Sequence, residues 1–385
     1  MKDRGFVLAF ASLALAGGCG GRVGTVTVYV DGGPASEQGG DNPLGGGAPA
    51  HPEAGGMVST TLAGEASAND DESDDASGDA TVASGSCAYT TTTLASGQSG
   101  PAGIAVDSAY AYWVTHDGST VMRVPLTGGT ASVLASEQGQ PHGIAVDATG
   151  VYWTNNASGT VMKAALPSGA LATIASGQPG AQGVTLDSTY AYWTLGNSGY
   201  SAVMKAAKVP SGGAGATVVA SGGNGPQGVA VDGTHVYWTT FYSSTVEEAL
   251  LTGGTPTVLA TGQSWPEGIA LYGTSVYWTT NGTVMALDLA GGSPMTLATA
   301  QNNPSAGGVN TDIGIAVDAR FVYWADYGDG FVMTVPRAGG ASIRLASGGN
   351  PLGIAIDDTY VYWTDYARGT VMKTLKCEPQ ADPPP

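Results

Sequence analysis

Seven Tyr-Trp pairs at intervals of about 40 residues, four β-rich runs around each pair and glycine pairs between the runs predict an all-β fold. The architecture that fits is a seven-bladed β-propeller with four antiparallel strands per blade, preceded by a disordered tether. The pairs end at Trp113, Trp153, Trp193, Trp238, Trp278, Trp324 and Trp363. Before each stands Gly-(Ile/Val)-(Ala/Thr)-(Val/Leu/Ile)-Asp, beginning at Gly103, Gly143, Gly183, Gly228, Gly268, Gly314 and Gly353, with Tyr272 in place of Asp in blade five.

Blade one supplies the pattern for the rest. Its runs are Gly103 to Val106, Tyr110 to Val114, Thr120 to Pro125 and Thr130 to Ala135, rich in Val, Ile, Tyr and Trp and separated by Gly, Asp or Ser. The second run is apolar at nearly every position, as in Tyr360-Val361-Tyr362-Trp363, so both its faces need cover, and neighbouring blades provide it. Gly128-Gly129, Gly253-Gly254, Gly291-Gly292 and Gly339-Gly340 join third and fourth runs, where a tight hairpin needs positive φ. The acids that end six first runs, Asp107, Asp147, Asp187, Asp232, Asp318 and Asp357, read as turn stabilisers.

The folded region, 87–378, holds an incomplete blade at each end. Cys87 to Ser96 matches a fourth strand, and the last unit stops after its third strand at Lys376. The first strand therefore completes the last blade and closes the ring, which removes an open edge. Cys87 and Cys377 stand at the two strand ends so joined, and a disulfide between them is expected; the alternative is two unpaired thiols. An exported compartment permits the bond, which by loop entropy would contribute at most roughly 5 kcal/mol. The expected state is a monomer.

Lys2 and Arg4 precede an apolar run from Phe6 to Ala16 and the small residues Gly17 and Gly18, the layout of an export signal over 1–18. That run is too short to span a bilayer, so any membrane association comes through an anchor alone. Residues 19–86 are acidic and rich in Gly, Ser and Ala, a composition that reads as a flexible tether, and 379–385 form a disordered proline-rich tail. Twelve of the 31 acids precede residue 86; the remaining 19 face 10 of the 13 basic residues, leaving that part near −9. With no basic cluster against it, this charge argues against nucleic acid as a partner.

Ala16-Gly17-Gly18-Cys19 resembles the lipobox of bacterial lipoproteins, which implies lipidation of Cys19 and a place in the cell envelope; the alternative is cleavage by an ordinary signal peptidase and release. The blades resemble the YWTD propellers of the low-density lipoprotein receptor family, complete at Tyr362-Trp363-Thr364-Asp365 and close at Tyr323-Trp324-Ala325-Asp326. Those receptors have six blades and this chain seven units. The Pro-x-Gly-Ile-Ala-Val-Asp element is similar to NHL-type and gluconolactonase-like propellers and to the seven-bladed virginiamycin B lyase. These resemblances imply fold and carry function weakly.

Function is expected on the face that gathers the loops between second and third strands and between fourth and first strands. The residue before each first-strand Gly lies at the mouth of the central channel there: Ala102, His142, Gln182, Gln227, Glu267, Ile313 and Leu352. Half of that ring is polar and half apolar, which suits an amphipathic small ligand or a peptide end; the plain alternative is loop variation with polar groups facing water. Trp265, Tyr200, Phe241, Tyr242, Tyr327 and Tyr366 fall in loops of the same face, placed to stack on sugars or grip peptide side chains, or else to pack neighbouring loops. Asp326, Asp329 and Asp365 are the best candidates for a cation site.

A binding module for a protein, peptide or carbohydrate ligand, with no cofactor, is the favoured reading. The alternative is a lyase or lactonase assisted by a divalent cation such as Ca or Mg, with His142 and Glu267 at the positions where the lyase resemblance implies a His and a Glu. They lie three blades apart, and no second His is expected to join them, since His116 and His235 belong elsewhere.

Overall fold

The computed structural model describes residues 90–197, 200–209, 215–299 and 312–376, and these form seven four-stranded antiparallel sheets with no helix among them. Blade one consists of β2 (Pro101–Val106), β3 (Tyr110–Thr115), β4 (Thr120–Pro125) and β5 (Ser132–Ala135), hydrogen-bonded in that order from the centre outward. The expected third strand matches residue for residue. The first strand starts two residues earlier, at a proline, whose missing N–H is tolerated in an opening position. The fourth starts two residues later, because Gly128 and Gly129 hold φ of 90° and 132° and the chain needs Thr130 and Ala131 to come back into register.

The other blades repeat this plan. Their inner strands are β6 (Pro141–Asp147), β10 (Ala181–Leu186), β14 (Pro226–Val231), β18 (Ile269–Tyr272), β22 (Asp312–Val317) and β26 (Pro351–Ile356). Neighbouring inner strands touch all the way round, including β2 against β26, so the ring is closed. The last sheet is completed by β1 (Thr92–Ala95), which pairs with β28 (Thr370–Leu375), Thr92 opposite Lys373, as the sequence predicts. Cys19, Cys87 and Cys377, with the signal, tether and tail, lie outside the described residues.

Packing explains the doubly apolar second strand. Tyr112 of blade one shares a buried cluster with Trp153 of blade two, Tyr152 with Trp193, Tyr192 with Trp238 and Tyr362 with Trp113. Each seam is thus a Tyr from one blade against the Trp of the next. Truncating one such Trp to Ala would cost about 3–5 kcal/mol, a large part of a protein's net stability.

Polar side chains stitch the same seams. Trp113, Trp153, Trp193 and Trp278 each donate their indole N–H to Gln98, Gln138, Gln178 and Gln263, at 2.9 to 3.1 Å. At the far end, Asp107, Asp187, Asp232, Asp318 and Asp357 accept backbone amides of their own turn and a hydroxyl from Tyr112, Tyr192, Tyr237, Tyr323 and Tyr362, so the repeated acid is a turn stabiliser. Burial alone would raise Asp318; the Lys376 ammonium at 2.8 Å and the turn amides outweigh it and hold the carboxyl below its ordinary value.

Candidate functional site

The mouth residues of all blades but the fifth sit on a β-bulge. In six blades the pairing of the first two strands slips by one residue between strand position one and position four, as between Pro101 and Ile104, so Ala102 and Gly103 carry the extra residue. A bulge re-aims the side chain it holds. The backbone beneath is fixed by the preceding blade: the buried hydroxyls of Thr154, Thr194, Thr239 and Thr364 donate to the carbonyls of Gln182, Gln227, Glu267 and Ala102 at 2.5 Å. The threonine also accepts the N–H of the motif glycine in its own blade, as Thr239 does from Gly228 at 3.0 Å. A Cβ on Gly143 would stand 2.6 Å from the Gln182 carbonyl oxygen, and one on Gly314 2.6 Å from that of Leu352, which is why that position is glycine. Blades one and six have Val114 and Ala325 for the threonine, so His142 and Leu352 lack this clasp.

The polar arc of the mouth does not simply face bulk water. His142, Gln227 and Glu267 are 3%, 8% and 2% exposed, Gln182 is half-buried, and the apolar arc, Ala102 and Leu352, is fully buried. The side chain of Ile313 is not described. Tyr327 and Tyr366 pack against the cluster that contains Ala102 and Leu352, so they back the apolar arc. The Oε1 atoms of Gln182 and Gln227 are buried with no hydrogen-bond partner among the described residues. Burial, helped by the adjacent His116, pushes His142 down to about 3, so its imidazole is neutral at pH 7.

His116 corrects the sequence reading. Its ring centroid lies 6.4 Å from that of His142, edge to face, so a second His does join the mouth. The hairpin between β3 and β4 carries it there, and Gly100 fixes that hairpin by accepting the His116 N–H at 2.8 Å. Asp117 contacts His116 Nδ1 at 3.1 Å and accepts the Tyr366 hydroxyl at 2.9 Å, and the His116 contact, outweighing partial burial, holds its carboxyl below the ordinary value. The position of His116 just after Tyr-Trp-Val-Thr, aligned with Tyr366 after Tyr-Trp-Thr-Asp, was the available signal.

The candidate cation ligands serve their own hairpins. Asp326 accepts the N–H of Asp329, and burial, with the neighbouring carboxyl, raises Asp326 to about 6. Asp365 accepts the N–H groups of Asn350 and Arg368 and lies 3.8 Å from the Arg368 guanidinium. Among the described residues, no group of three or more His, Cys, Asp or Glu is placed to hold a metal ion.

The loop aromatics of blades four and five converge on the same face. Phe241 and Trp265 stack at 5.5 Å and 14°, and Tyr242 meets Phe241 edge-on at 5.0 Å. Tyr242 is 65% and Trp265 41% exposed, so two flat rings present themselves to solvent. Trp265 holds a φ of 47°, a left-handed conformation that bulky residues avoid unless their surroundings impose it. Tyr327 and Tyr366 do not join this group, and the Tyr200 side chain is not described.

No family model and no curated protein matches the chain. Solved structures similar to it include a streptogramin B lyase (13% identity, 75% of this chain and 98% of that one, TM-score 0.63) and the hydrazine synthase of Kuenenia stuttgartiensis (15%, 77% and 99%, 0.61). A computationally designed protein, Ika8, is similar over 74% of this chain and 98% of its own, at 14% identity and TM-score 0.54. At such identities the likeness is one of fold.

Proposed function

We propose that this propeller is an extracytoplasmic recognition module that takes a peptide, protein or carbohydrate ligand on its loop-rich face. The observation that carries the reading is the exposed pair Trp265 and Tyr242, braced by Phe241. Rigid aromatic rings supply contact area at low entropic cost. The test is a glycan and peptide array probed with the purified protein. A discrete set of bound ligands is expected, weakened about tenfold or more by Trp265→Ala, as loss of a stacked anchor predicts. Binding unchanged by Trp265→Ala and Tyr242→Ala would exclude this surface.

The same reading puts the chain in the cell envelope, lipidated at Cys19 after removal of 1–18; the basic start, the apolar run and Cys19 support it. Cys19→Ser is then expected to move the protein from the membrane to the soluble fraction. A metal-assisted lyase or lactonase built on His142 and Glu267 is the second reading, favoured by the proximity of His116. Stoichiometric bound divalent metal, lost in His142→Ala and Glu267→Ala, would support it; metal-free protein with intact ligand binding would remove it.

A further inference from the structure

The aromatic platform stands in a sector of the ring that has no cations of its own. From Val209 to Ala319 the chain contains no Lys or Arg. That stretch holds the whole of blades four and five, whose acids are Asp232, Glu247, Glu248, Glu267 and Asp288. Lys205 and Arg337 enter the sector from neighbouring blades, but at the end away from the loop face. Lys205 donates to the Leu251 carbonyl, and Arg337 donates to the Tyr277 hydroxyl and lies over the Tyr272 ring. A sector with acids and no bases draws a positively charged guest.

The local chemistry narrows the kind of cation. Phe241 stacks 14° from parallel with Trp265 and meets Tyr242 at 80°, so the two exposed rings stand at a steep angle to one another. Ring faces attract cations. Acceptors without donors flank the rings on both sides. Asn281, whose N–H donates to the carbonyl of Ser264 at 2.8 Å, has a buried Oδ1 with no partner among the described residues. On the other side Tyr242 lies over Gly225, where a Cβ would stand 2.6 Å from its ring, and the Gly225 carbonyl accepts the Phe241 N–H. Two residues further along is Gln227, 8% exposed, whose buried Oε1 likewise has no partner among the described residues. A quaternary ammonium would use the rings and leave these acceptors unserved, and a neutral sugar would gain nothing from the charge. A guanidinium is flat, stacks on aromatic faces, carries several N–H donors and keeps its charge at any ordinary pH.

We infer that the Trp265 and Tyr242 platform takes the arginine side chain of a peptide or protein ligand. This rests on the proposal that the platform is the recognition surface, and names the chemistry it recognises.

Titration calorimetry of the purified protein with acetyl-Gly-Gly-Arg-Gly-Gly-amide, and with the same peptide carrying citrulline or lysine for arginine, tests it. Citrulline keeps the shape and loses the charge. The arginine peptide is expected to bind at least about tenfold tighter than either, and its affinity to fall as sodium chloride rises from roughly 20 to 200 mM. Ser264→Lys, which puts a cation at an exposed position beside Trp265, should erase the preference. Tyr242→Ala should weaken the arginine peptide and supplies a second test should Ser264→Lys lower the thermal melt. Equal binding of the arginine and citrulline peptides, equal binding of the lysine peptide, or binding of none would overturn the inference. A glycan held through Trp265 and indifferent to Ser264→Lys would keep the recognition surface and remove arginine as its ligand, so the two failures are separable.

Discussion

Thr239 lies fully buried between two inner strands, accepting from Gly228 and donating to the carbonyl of Glu267. Valine keeps its shape and removes both bonds, leaving a buried N–H without its hydroxyl partner. Thr239→Val should lower stability by about 1–3 kcal/mol in a denaturant melt. The Glu267 carbonyl also accepts the Gly228 N–H, at 3.2 Å, so the lower half of that range is expected. Blades one and six bear Val114 and Ala325 here, which shows that the ring tolerates two such losses. The Tyr-Trp-Thr string was plain in the sequence, yet the role of its threonine was not, since its partner lies 28 residues further on, in the next blade. The seam glutamines were hidden for a related reason: Ser-Gly-Gln, as at Gln98 and Gln178, reads as loop composition until the indole 15 residues later is brought over it.

The hairpin between β23 (Phe321–Asp326) and β24 (Phe331–Pro336) depends on Asp326, whose carboxyl is buried and raised to about 6. An acid whose folded pKa exceeds its unfolded one binds more protons when folded. The stability it contributes is therefore present below about pH 4 and lost as pH rises through about 6. Asp326→Asn still accepts the Asp329 N–H and carries no charge. It should melt higher than the parent at pH 7.5 by roughly 1–2 kcal/mol, a value discounted because part of the carboxyl reaches water, and no higher at pH 4. His142 works the other way: its depressed pKa contributes stability above pH 6.5 that falls away as pH drops toward 3. A scan of the parent alone would mix the two slopes, so the difference between parent and variant is the quantity to measure. Hairpins were legible from their glycines and acids; which acids are buried was not, since that depends on how the neighbouring loops fold over them.

Closure is the property of the whole ring. It was readable because two partial blades at opposite ends of the folded region complement each other, and β1 pairs with β28 as that complementarity requires. Thr92 stands opposite Lys373; Cys87 and Cys377 lie outside the described residues, and the disulfide between them remains a proposal from the sequence. Proteolysis without reductant should release a peptide pair linked through these cysteines, and reduction should lower the melting temperature; two free thiols titrated in the unreduced protein would exclude the bond. The mouth was legible as a set of seven positions, but its burial and the approach of His116 were not, because both arise from hairpins that reach across from neighbouring blades. At Ala102, Gln182, Gln227 and Glu267 the clasp grips main-chain atoms alone: a threonine hydroxyl on a carbonyl, with a glycine making way. The side chain of a clasped mouth residue takes no part in that grip, so at the polar positions Gln182, Gln227 and Glu267 the clasp itself does not depend on which side chain is present. Descendants of such a ring could change which molecule they greet by rewriting a short word at its centre, while the architecture that displays the word goes on unaltered.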